Sequence, residues 1–107
     1  MSQQSPIDWF KLKAQFGNEQ LLKVWLADVV NGSAQEAQQI RQAIEDGKVN
    51  SGLLQQLQGI AALVCSPALS TWVKQLKQSE QPQADLEKCL TCYLEVVAEI
   101  THYLKQH

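Results

Sequence analysis

Apolar residues recur along this chain at intervals of three and four, the spacing of one helical face, and no stretch alternates with period two for long enough to suggest a sheet. Ile7, Phe10 and Ala14 mark a short first helix with that face turned inward. Leu21, Leu22, Trp25, Leu26, Val29 and Val30 form a second stripe, which Ala37, Ile40, Ala43 and Ile44 continue. Leu53, Leu54, Leu57, Ile60, Ala61 and Val64 supply a third, and Leu69, Trp72, Val73 and Leu76 a fourth. The last is the longest, with Leu86, Leu90, Tyr93, Leu94, Val97, Ile100 and Leu104 on one side.

Caps and breakers divide these stripes. Ser5-Pro6 and Ser66-Pro67 each read as an N-cap followed by proline at the first helical position. Phe16-Gly17 ends the first helix, and Asn18 caps the next, with Glu19 in its first turn. Asn31-Gly32 either breaks that helix, with Ser33-Ala-Gln-Glu36 at capping-box spacing for a restart, or bends a single long helix that ends at Gly47. The third helix is expected over 51–65, a polar loop over 79–83 and the last helix over 84–105. The expected fold is all-α: one domain over 1–107, an antiparallel four-helix bundle with a short N-terminal capping helix.

Composition narrows the functional classes. With 107 residues, 45% hydrophobic and 19% charged, the chain can bury a core without staples. Its net charge of −2 and dispersed basic residues argue against a nucleic-acid surface. No apolar run reaches the roughly 18–20 residues of a membrane span. The opening MSQQSPIDWF lacks the basic and apolar regions of a secretory signal, and three cysteines do not make a disulfide framework. A cytoplasmic protein is the expectation.

Candidate chemistry is thin. Cys89-Leu-Thr-Cys92 is a C-x-x-C inside a helix, away from the helix start that would activate a thiol, and Cys65, His102 and His107 lie at unrelated spacings for zinc. Core or half-buried thiols are the expected outcome, with neither metal nor cofactor. Trp9, Trp25 and Trp72 either mark a binding face or, as large aromatics more often do, fill the bundle core. Gly59 stands out, because an interior helical glycine costs roughly 1 kcal/mol against alanine. Either another helix of the chain packs closely against it, or it leaves room for a partner.

The order of these features resembles the histidine-containing phosphotransfer (HPt) domain over nearly the whole chain. Ala43-Ile44-Glu45-Asp46-Gly47 is similar to the family's A-L-x-x-G. Gln55-Gln56-Leu57-Gln58-Gly59-Ile60-Ala61 is similar to its H-x-L-K-G-x-A, with Leu57, Gly59, Ala61 and the later Leu69 in register. The loop between Gly47 and position 55 is shorter than the family's.

Two departures bear on function. Gln55 stands where the family has its phosphoacceptor histidine, and Gln58 where it usually has a lysine that helps neutralise the phosphoryl group. An imidazole nitrogen is nucleophilic near neutral pH, whereas an amide nitrogen has its lone pair delocalised into the carbonyl. The resemblance therefore implies a degenerate, non-enzymatic HPt protein that binds a response-regulator receiver domain or a histidine kinase. Its partner-binding residues would be Gln55, Gln58, Gly59 and Ala62, which fall on one strip of the helix. Two other readings stay open: a phosphotransfer protein using His102, and a structural or self-associating bundle.

Overall fold

Side-chain caps set where the helices start. The computed structural model describes residues 5–106. It contains α1 (Trp9–Phe16), α2 (Glu19–Asp46), α3 (Ser51–Leu63), α4 (Pro67–Lys77) and α5 (Pro82–Gln106), and no strand among the described residues. The Asn18 side chain accepts from Gln20 N and Leu21 N at 2.8 and 3.2 Å. Asn50 accepts from Leu53 N at 2.7 Å, and the Ser66 hydroxyl from Leu69 N at 3.1 Å. Each of these bonds satisfies an amide the first turn would leave open. Gly17 and Gly47 close α1 and α2 in the left-handed conformation, at φ 61° and 68°.

The first helix corrects the sequence expectation. Ser5-Pro6 does not start it; Asp8 caps α1 by accepting from Lys11 N at 3.1 Å. The Ser5 hydroxyl accepts from Ile7 N at 3.1 Å within the strap and donates to Glu99 on α5. Residues 5–8 run as a strap, with Ile7 buried and Asp8 N donating to Cys65 O at 2.7 Å. The later start rotates the helix, so Leu12 is fully buried while Phe10 is 87% exposed and Ala14 is exposed. Trp9 and Phe16 pack beside Leu12. Trp9 stacks on Tyr103 with ring centroids 4.7 Å apart, and Phe16 lies 5.2 Å from Trp25.

Between the two readings of the second helix, the unbroken one holds: α2 runs through Gly32. Ser33 does not cap a restart, because its hydroxyl donates back to Val30 O at 2.6 Å. Glu36 is likewise engaged elsewhere, which removes the capping box. Elsewhere the boundaries move by a turn or less: α3 ends at Leu63 and α5 begins at Pro82. Cys65, in the α3–α4 turn, has φ 53°.

The long helices α2 and α5 are antiparallel neighbours. Tyr103 OH donates to Glu19 at 3.1 Å, Tyr93 OH to Glu36 at 2.6 Å, and Gln83 Nε2 to Ile44 O at 2.9 Å. These three pairs order the helices along their length. At one end α3 and α4 complete a core with Ile40, Leu57, Leu69, Leu86 and Tyr93; at the other, α1 and the strap cover Leu22, Leu26, Val96 and Ile100. α4 packs on both α3 and α5, whereas α2 and α3, though consecutive, make little backbone contact.

On α5 the buried set is Leu86, Cys89, Cys92, Tyr93, Val96, Ile100 and Tyr103. Leu90, Val97 and Leu104 are half-buried, and Leu94 is exposed. The inward face is rotated because α5 is shared between α2 and α4, and the two cysteines serve as small apolar residues. On α2, Leu21 is similarly exposed at 59%. Trp9, Trp25 and Trp72 are half-buried rather than central; Tyr93 is the largest side chain fully inside.

Candidate functional site

α3 presents three different sides. Leu53, Leu57 and Ala61 are buried against the core and continue to Val64 just past the helix end. Opposite them lies the strip singled out by its sequence: Gln55, Gly59 and Ala62 are exposed, and Gln58 is half-buried. A Cβ built on Gly59 would meet nothing within 4 Å. Close packing by another helix of the same chain therefore does not explain this glycine. The strip carries no charge, and Gln55 brings an amide to its most outward position.

The third side faces α2. Because the two helices stand apart, an open trough of about 500 Å³ separates them, lined by Trp25, Val29 and Gly32 on α2 and by Ile60 and Leu63 on α3. One polar bridge crosses it. Gln56 Nε2 donates to Glu36 Oε2 at 3.1 Å, while Glu36 Oε1 accepts from Tyr93 OH. Glu36 thus ties α2, α3 and α5 together at one carboxylate. Sequence reasoning missed this site, because it placed Trp25 and Val29 on an inward stripe and weighed Gly32 and Glu36 only for whether the helix breaks and restarts or bends there. Gly32 with Asp28, Val29 and Glu36 at i−4, i−3 and i+4 was a legible signal, since these positions share one helical side.

The other candidate groups do not join the strip. His102 is exposed on α5 and His107 lies outside the described residues. Cys65, Cys89 and Cys92 are free and buried. Among the described residues no three His, Cys, Asp or Glu side chains gather in a way that could hold a metal ion, and no helix is long and apolar enough to cross a membrane. No buried side-chain polar atom among them lacks a hydrogen-bond partner.

Burial sets the protonation of the interior. It pushes the Cys89 thiol from 9.0 up to about 12, with the neighbouring Cys92 and Asp85 adding to the rise. Cys92 is raised by burial and by Glu95. Tyr93 is raised by burial and by its bond to Glu36. For an acid whose folded pKa lies above its unfolded value, the native state holds the proton longer. The stabilisation is complete below the unfolded pKa and is lost as pH climbs towards the folded one. Stability is therefore expected to fall from about pH 9 upward, by up to ~1.4 kcal/mol per pH unit from Cys89. Urea denaturation between pH 7 and 11 measures the decline, and Cys89→Ala should flatten its first part.

In comparisons with known proteins, the chain matches no family model, no curated protein and no solved structure.

Proposed function

We propose that this protein is a non-catalytic HPt-like module, an antiparallel four-helix bundle capped by α1, that binds a receiver domain or a histidine kinase. It modulates a two-component phosphorelay in the cytoplasm by occupancy, without carrying phosphate. The observation that supports this most is the outward strip on α3, where Gln55, Gly59 and Ala62 are exposed and the space over Gly59 is open. A partner surface can approach the backbone there. Gln55 meets it with a neutral amide that donates a hydrogen bond but cannot accept a phosphoryl group. Gln58 brings no cation to offset phosphoryl charge. Transient interfaces of this kind bury little area, often less than about 1,200 Å².

Calorimetric titration of a receiver domain into the protein tests the reading. Gln55→Arg is expected to weaken binding at least tenfold with the fold intact by circular dichroism. Unchanged affinity removes the strip as the binding face. Incubation with a phosphorylated receiver is expected to leave the protein unlabelled. Acid-labile label that disappears in His102→Ala would assign phosphotransfer to that histidine instead.

A further inference from the structure

The trough between α2 and α3 lies to one side of the Gln55 strip and has a chemistry of its own. Its lining is apolar at Trp25, Val29, Ile60 and Leu63 and polar at Gln35, Gln39 and Gln56, and Leu63 on its α3 wall is 58% exposed. Leu21, four residues before Trp25, extends the same side of α2 and is 59% exposed. Its charge is one-sided. Between Val24 and Ile40 the only ionisable residues are Asp28 and Glu36, and α3 carries none. Glu36 already has both oxygens engaged, by Tyr93 and Gln56. Asp28 is exposed at the rim, with no cation on either wall to answer it. Gly32 lines the trough, and a Cβ there would meet nothing within 4 Å.

We propose that this trough docks an amphipathic helix of a partner protein, one that carries a basic residue beside its apolar stripe. Three arguments select that occupant. An apolar stripe matches the exposed Leu63 and the half-buried Trp25, Val29 and Ile60, whose outer sides line the trough. The basic residue complements Asp28, which, unlike Glu36, accepts no hydrogen bond from a donor on the walls; a second copy of this chain would bring Asp28 against an equally acidic trough. A helix satisfies its own backbone, which matters because the described residues offer no sheet edge to pair with an extended peptide. The α2 wall from Trp25 to Gln39 extends about 21 Å, room for four turns. Gly32 lets the incoming helix sit close to α2. The proposal rests on the trough alone and stands whether or not the outer strip binds a receiver.

The test uses the whole protein and two 18-residue helical peptides of alanine, glutamine and leucine, differing by one arginine or one glutamate beside the leucine stripe. Amide resonances are followed by NMR during titration. The arginine peptide is expected to move those of Gly32, Gln35, Ile60 and Leu63 and to bind at least tenfold more tightly than the glutamate peptide. Gly32→Leu, which fills the trough with a good helix former, should weaken binding tenfold or more without lowering the melting temperature. Asp28→Lys should invert the preference between peptides. Equal binding of both peptides, shifts confined to another surface, or sedimentation showing a dimer that covers Gly32 and Leu63 would each overturn the proposal.

Discussion

Tyr93→Ala is expected to remove about 3–5 kcal/mol of stability, the range for deleting a large buried aromatic. Domains of this size have only about 5–15 kcal/mol in total, so the variant should be largely unfolded at modest urea concentrations. The size of the effect follows from position. Tyr93 is fully buried where α2, α4 and α5 converge, and its hydroxyl donates to Glu36 at 2.6 Å. Truncation leaves a cavity and also strips a carboxylate of a donor. Tyr93→Phe separates the two contributions: it keeps the ring and is expected to cost about 1.5–3 kcal/mol, the range for one hydrogen bond to a charged group. Urea denaturation followed by far-ultraviolet circular dichroism measures both. Equal losses in the two variants would place the importance of Tyr93 in its hydroxyl rather than in packing.

The largest expected gain comes from the opposite operation. Replacing both Gly32 and Gly59 by alanine should stabilise the protein by about 1–2 kcal/mol, because each interior helical glycine costs roughly 0.5–1 kcal/mol relative to alanine. Both lie within helices, Gly32 in α2 and Gly59 in α3, and a Cβ at either would meet no atom within 4 Å. Nothing among the described residues packs against either position to offset its cost. The melting temperature should rise by roughly 4–16 °C. A fall would reveal a conformational demand for glycine within the helices. A rise accompanied by weaker binding of either partner would locate the benefit of the glycines outside the chain, at the surface they leave open.

Much of the fold was legible in local patterns. Asn18, Asn50 and Ser66 are recognisable caps because the amides they satisfy lie two or three residues away. Gly17 and Gly47 are readable stops for the same reason. The outward position of Gln55, Gly59 and Ala62 followed from the strength of the opposite stripe, Leu53, Leu57 and Ala61. Where local rules failed, a distant residue had taken part. Ser5 donates to Glu99, ninety-four positions away, and its bond from Ile7 N holds a turn of the strap rather than a helix start, while Glu36 lost its capping role to Tyr93 and Gln56. Cys89 and Cys92 are buried, as expected of core or half-buried thiols, but they were not counted in the apolar stripe of α5, and so its rotation escaped notice.

The amino-acid sequence by itself determined that this protein is helical, roughly where its helices stop and start, and that the outward side of α3 carries neutral amides and a glycine. Those properties depend on backbone preferences and hydrogen bonds within a turn of each residue. Only the tertiary structure decided that α2 is continuous through Gly32, that none of the described residues packs on Gly59, and that α2 and α3 part to leave a trough of mixed apolar and polar lining. A helical stripe records which side of a helix avoids water, but the width of the gap beside it depends on where α4 and α5 hold the neighbouring helices.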